Sequence, residues 1–219
     1  MAPLVSARRP AADALAGTRV NEALSEAERA TRVVVLTGPE CSGKTTLAAA
    51  LAEAFAAPWT REAAREFAES SAEPLSSATV APIARLAMTI EDEARAARPT
   101  LLFRDTDLVS TVVYARHYYG AVEDWIVTEA RARLGDLYLL GAPDLPWSAD
   151  GVRDRPTQRE DLFAEFARTL EEFGATSVVI RGTGEARTMA AIAAVRAYLD
   201  RVATVTTSPP HDPAPRRTT

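Results

Sequence analysis

A chain of 219 residues, 47% hydrophobic and 25% charged, has the size and balance of one folded domain with short flanking stretches. Its net charge of -5, without a basic cluster, argues against nucleic acid as a main partner, and its apolar runs fall well short of the roughly 18 residues that span a bilayer. A single cysteine excludes an internal disulfide, and the first twenty residues lack the apolar core of a secretory signal, so a cytoplasmic location is expected.

Residues 1–30 mix Ala, Arg, Pro and Glu without a clear period and are read as a partly disordered extension. Val33-Val34-Val35-Leu36 is a β-branched run of the kind found in a strand buried on both faces. Behind it, Leu47, Leu51, Ala54 and Phe55 share one face of a helix. A short second strand is expected near Ala57–Thr60, then helical segments over roughly 61–70 and 79–97. Leu101-Leu102-Phe103 reads as a third strand, ending at Asp105. Val109, Val112, Val113 and Arg116 mark one helix, and Glu123–Leu134 another. Leu137–Leu140 is a fourth strand. Leu162, Phe163, Phe166, Leu170 and Phe173 repeat at helical spacing, Ser177–Ile180 is a fifth strand, and Met189 to Val202 carry the last helix. Residues 204–219, rich in Pro and Thr, read as a flexible tail. The folded unit is therefore expected over residues 31–203.

Strands alternating with helices predict an α/β fold with a parallel sheet covered on both faces. Ligands then gather beyond the carboxyl ends of the strands. The segments that follow strands one, three and four should meet there.

The first of these segments holds the only lysine among 25 basic residues. Lys44 sits in Gly38-Pro39-Glu40-Cys41-Ser42-Gly43-Lys44-Thr45, which fits the P-loop pattern Gly-x-x-x-x-Gly-Lys-Thr. A compact ammonium reaches between β- and γ-phosphates where a planar guanidinium fork does not fit equally well. Gly38, Glu40, Cys41, Ser42, Gly43, Lys44, Thr45 and Thr46 are the predicted ATP-binding residues, with backbone N–H groups around the phosphates. The Thr45 hydroxyl is expected on Mg²⁺. The fold expected is thus a three-layer P-loop NTPase of the nucleoside- and nucleotide-kinase kind, with strand order 2-3-1-4-5.

Asp105-Thr106-Asp107 closes the third strand. Asp105 stands where a carboxylate holds the metal. Asp107 faces the acceptor or caps the next helix. Glu62 and Arg65, after the second strand, lie at the edge that faces the acceptor in small P-loop kinases, or form a solvated Glu/Arg face. The stretch 150–159 carries Arg153, Arg155 and Arg159 on a loop punctuated by Gly and Pro. It reads as an arginine-bearing lid that closes over the phosphates, with Arg153 catalytic and Arg159 on ATP. Trp147 precedes that lid and offers a face for a flat ring, and Asp150 opens the lid. Tyr114, Tyr118 and Tyr119 read as core or surface, and His117 as structural.

Five strings in this order, VVVLTGPECSGKTTL, REAAREF, DTD, DLYLL and PDLPWSADGVR, resemble the ribosylnicotinamide kinase domain of NadR-type proteins, within the NadR-like AAA group. The resemblance covers roughly residues 31–200. It implies ATP- and Mg²⁺-dependent phosphorylation of nicotinamide riboside, a small pyridinium substrate, to nicotinamide mononucleotide. Cys41 and Thr45 stand where the family often has serine. No His-x-Gly-His string of an adenylyltransferase is present in the 219 residues, so a stand-alone kinase domain is expected. The resemblance implies substrate contacts from Glu62, Arg65, Asp107, Trp147 and Asp150, metal held by Thr45 and Asp105, and a proton acceptor among Glu62, Asp105 and Asp107. Two other functions remain open from the residues alone: a kinase for a different nucleoside or small metabolite, and a regulatory NTP-binding module.

Overall fold

The computed structural model describes residues 31–71, 73–147 and 158–207. Five strands, β1 (Arg32–Thr37), β2 (Trp59–Thr60), β3 (Leu101–Asp105), β4 (Leu137–Gly141) and β5 (Ser177–Ile180), form one sheet in the order β2-β3-β1-β4-β5. Every pairing is parallel, with Leu36 opposite both Asp105 and Leu139. The helices are α1 (Lys44–Phe55), α2 (Ala63–Ser70), α3 (Val80–Ala96), α4 (Leu108–Tyr119), α5 (Asp124–Ala132), α6 (Arg159–Glu172) and α7 (Gly184–Thr207). A 3₁₀ turn at Ser77–Thr79 leads into α3.

The alternation of side chains along each strand separates two cores. Val33, Val35, Leu102, Tyr138 and Leu140 point towards α2 through α6, while Val34, Leu36, Leu101, Phe103, Leu137 and Leu139 point towards α1 and α7. The central valines are fully buried. Each such side chain contributes about 1.5–3 kcal/mol of hydrophobic stabilisation relative to exposure, which ties β1 firmly at the centre.

Sequence and structure differ in detail. On α1 the buried face is Leu47, Ala48, Leu51 and Ala52, and Ala54 is exposed. The strand β5, at the edge of the sheet among the described residues, leaves Val178 and Val179 partly open to solvent. The last helix continues to Thr207, into the stretch read as a tail. Residues 1–30 and 208–219 lie outside the described residues. Among the described residues, no helix is long and apolar enough to cross a membrane.

Candidate active site

The loop after β1 turns back on itself at Gly38, whose φ is +130° and whose missing Cβ would stand 2.8 Å from the Gly141 carbonyl. Only glycine allows that approach between the β1 and β4 ends. Gly43, at φ +78°, makes the second turn and leads directly into α1. The Ser42 hydroxyl and the Lys44 ammonium both donate to the Pro39 carbonyl, at 2.8 and 2.9 Å, so the lysine lies back over the loop. Cys41, at φ +53°, and the exposed Thr46 complete the turn and the first turn of α1.

Two buried arginines hold this loop from outside. Arg159, the first residue of α6, donates to the carbonyls of Glu40, Cys41 and Leu145 at 3.0–3.2 Å. Arg187, on α7, donates to the carbonyls of Ser42, Ala142 and Gly182 and pairs with Asp144 at 2.6 Å. Three successive loop carbonyls, 40 to 42, are thus turned onto guanidinium groups. Carbonyls engaged there leave the concave side to N–H groups, the arrangement that suits an anion. Arg159, read from sequence as an ATP contact, is placed on the backbone of the P-loop. Arg187 was not singled out by the sequence, because an arginine far along the chain carries no local signal. The Gly182 N–H also donates to Asp144. Burial opposes the charge of Asp144, but that N–H and Arg187 outweigh it and hold the carboxyl below its ordinary range.

Asp105, at the end of β3, accepts a 2.5 Å bond from the Thr45 hydroxyl through Oδ2. Its Oδ1 is buried without a hydrogen-bond partner. Burial pushes this carboxyl above its usual range; Lys44 and Thr45 pull it back only in part, and the nearby Glu62 adds to the rise. A buried carboxylate oxygen beside a threonine hydroxyl fits a divalent cation held mostly by phosphate and water. Such a site needs one or two protein oxygens, which agrees with the lack of any three-residue metal cluster among the described residues.

Thr106 has φ +70°, a left-handed conformation unusual for a β-branched residue. This turn sends the two carboxylates of the motif in different directions. Asp105 meets the P-loop, while Asp107 caps α4 by accepting from the Val109 and Ser110 N–H groups. Asp107 also accepts from the Tyr138 hydroxyl at 2.5 Å. Burial raises its pKa, against the pull of Arg104 and these hydrogen bonds. Asp107 is thus the helix cap that was one of its two readings from sequence, and it also lines the pocket described next.

Between α2, α3 and α4 lies a cleft with a cavity volume of about 50 Å³. Glu62 and Thr60 line it on the β2 side, Ile83 and Ala87 on α3, and Tyr114, Tyr118 and Tyr119 on α4. The tyrosines connect it to the nucleotide loop: Tyr118 donates to the Glu40 carboxylate at 2.7 Å, and Tyr114 to the Gly38 carbonyl at 3.3 Å. Tyr114 and Tyr118 stack with ring centroids 5.9 Å apart. The sequence did offer a signal for them, since residues 114 and 118 share one face of the helix that follows the paired aspartates. Glu40, expected on ATP, is joined through its side chain to the tyrosine wall.

Glu62 and Arg65 stand at the start of α2, near enough for both to act on the charge of Asp105. Trp147, the last described residue after β4, is 40% exposed and is not among the residues lining the pocket. Asp150 and Arg153 lie outside the described residues. His117 packs against the α6 side, with its ring nitrogens 3.1 Å from Glu165 and 3.2 Å from Gln158.

The model of an AAA-domain family matches residues 33–187, from β1 through the Arg187 brace. The chain belongs to that family. Among solved structures, it is similar to a NadR protein in complex with NR, at 25% identity and a TM-score of 0.70 over 84% of this chain. It is also similar to a NadR protein in complex with NAD and AMP-PNP, at 25% identity and a TM-score of 0.68 over 85% of this chain. The chain spans 58% and 57% of those two proteins. A thymidylate kinase from Ehrlichia chaffeensis aligns over 80% of this chain and 99% of its own, at 13% identity and a TM-score of 0.51, which shows the shared fold. No curated protein matches the sequence. The family and its structural neighbours show the α/β P-loop fold that kinases share.

Proposed function

We propose that the protein is an ATP-dependent kinase that phosphorylates the 5′-hydroxyl of nicotinamide riboside, giving nicotinamide mononucleotide. One observation carries this reading: a tyrosine-walled pocket, lined also by Glu62 and Asp107, is joined to the P-loop by Tyr114 and Tyr118. Electron-rich phenol faces and adjacent carboxylates suit a flat cation, which a pyridinium riboside is. The likeness to a NadR protein in complex with NR supports the same substrate.

In this mechanism the N–H groups of residues 38–46 surround the β- and γ-phosphates, and Lys44 neutralises their charge. Thr45 and Asp105 would hold Mg²⁺, which when bound offsets negative charge on the phosphates. The riboside lies in the pocket with its ring against the tyrosines and its 5′-hydroxyl towards Asp105. Glu62 lines the pocket at the start of α2, and in this mechanism it takes the hydroxyl proton. The 5′-oxygen bonds to the γ-phosphorus, the bond to the β,γ-bridging oxygen breaks, and ADP leaves with that electron pair. Positioning and charge stabilisation provide most of the rate in such transfers. Arg65 steadies the phosphoryl group from α2. Trp147, Asp150 and Arg153 are assigned to acceptor and phosphate contacts from the connection between β4 and α6.

The test is ADP release with nicotinamide riboside and a panel of common nucleosides at equal concentration. The proposal expects the riboside to give the highest kcat/KM. Preference for another nucleoside would transfer the reaction to that acceptor, and slow hydrolysis unaffected by every acceptor would favour an NTP-dependent switch.

A further inference from the structure

The nucleotide loop carries a buried carboxylate that the proposed chemistry does not use. Glu40, the third residue of the P-loop, is 8% exposed. Its backbone carbonyl accepts from Arg159, but its side chain turns to α4, where the Tyr118 hydroxyl donates to Oε1 at 2.7 Å. The partner it holds is a phenol, not a cation. A negative charge set in a loop that wraps phosphates repels the nucleotide, so this side chain does not serve ATP. Tyr118 lines the acceptor pocket, and its ring is fixed from three sides. It stacks on Tyr114 at 5.9 Å with 7° between the planes, His117 stands edge-on at 4.9 Å, and Glu40 holds the hydroxyl. Glu40 is not among the residues lining that pocket, so it reaches an acceptor only through the ring. A phenol that donates to a carboxylate is polarised by it, and such charge-assisted bonds are roughly twice as strong as neutral ones.

We propose that Glu40 is a positioning residue for acceptor specificity: its charge, acting through the Tyr118 hydroxyl, makes the tyrosine wall select a cationic flat ring. This rests on the reading of the pocket as the site of a pyridinium riboside. The carboxylate at the hydroxyl adds to the attraction that the ring quadrupole has for a cation. An uncharged ring of the same shape gains the contact area without that attraction, and binds about three- to tenfold more weakly.

Glu40→Gln removes the charge and keeps an amide oxygen for the Tyr118 hydroxyl. Nicotinamide riboside and its 1,4-dihydro form, which carries the same ribose and carboxamide on an uncharged ring, are titrated by calorimetry into wild type and variant. The wild type should bind the cation about three- to tenfold more tightly than the dihydro form. In Glu40→Gln that ratio should fall towards one through weaker binding of the cation, with the dihydro form bound as before. A merely structural role weakens both ribosides alike, so an unchanged ratio overturns the role of Glu40. AMP-PNP affinity checks the loop and should stay level or rise in the variant. Should it fall, Tyr118→Phe, which leaves the loop sequence intact, carries the comparison. Tyr118→Phe should lower the ratio to a similar level, and adding Glu40→Gln to it should change the ratio no further. A further fall would show the carboxylate acting without the phenol and overturns the inference. Equal binding of both ribosides by the wild type overturns it too and leaves the kinase reading intact. Failure of the wild type to bind either riboside overturns the substrate reading and this inference together.

Discussion

Lys44 and Asp105 set the chemistry at the residue scale, and they make opposite demands on stability. Lys44 is half-exposed and its bond to Pro39 is replaceable, so Lys44→Ala should leave the circular dichroism unchanged. It should lower kcat by about 10²–10³-fold, the usual cost of removing one charge-stabilising donor. Asp105 is buried, and its folded pKa lies above the unfolded one. Such a group holds its proton longer when folded, so stability falls as pH rises from the unfolded to the folded value, and the penalty persists above both. Asp105→Asn should therefore raise the melting temperature of the nucleotide-free protein at neutral pH while reducing turnover by about a hundredfold or more. A lower melting temperature would show that the carboxylate supports the fold. For the wild type, kcat/KM should begin to fall on acidification at a higher pH than an ordinary aspartate would give, because the charged form is the one that holds the metal.

At the scale of elements, the site depends on how helices grip the P-loop. Arg187 donates to Ser42 and pairs with Asp144, joining α7 to the nucleotide loop and to the segment after β4. Arg187→Met should cost about 1.5–3 kcal/mol in denaturant unfolding and weaken ATP binding about tenfold or more. Retained ATP affinity would mean that the loop holds its shape without the brace. Tyr118→Phe removes the bond to Glu40. Its effect should be a several-fold rise in KM for the acceptor with little change in kcat, measured by steady-state kinetics. Much of this frame was legible in the sequence. The β-branched run of β1, the P-loop and the paired aspartates are local patterns, and each fixes a strand end or a turn by the chemistry of a few neighbours. The braces were not legible, because Arg159 and Arg187 act on carbonyls more than a hundred residues away. The tyrosine wall was hidden by ambiguity, since tyrosines on one helix face serve a core as well as a pocket. Thr106, whose strained turn separates Asp105 from Asp107, looks ordinary as a letter in the chain.

For the whole molecule, the parallel sheet gathers into one place residues that the sequence scatters over some 150 positions. The order β2-β3-β1-β4-β5 places the tyrosine-lined pocket on the β2-β3 side of the P-loop. In the proposed kinase the nucleotide site exists only in the folded sheet, so ATP should stabilise the protein by mass action, about 2.7 kcal/mol at a hundred times the Kd. That corresponds to a rise of roughly 5–11 °C in melting temperature for a chain of this length. Lys44→Ala should lose most of the rise in thermal-shift measurements. The same coupling explains why the β5 edge, with Val178 and Val179 half-open, can remain the least protected strand without disturbing the site.

The most direct test of the central claim is the mass of the product. Purified protein is incubated with ATP, Mg²⁺ and nicotinamide riboside, and the mixture is resolved by mass spectrometry with Lys44→Ala as the control. The prediction is a species heavier than the riboside by one phosphoryl group, matching authentic nicotinamide mononucleotide and missing in the control. Bound nucleotide with no phosphorylated riboside would contradict it.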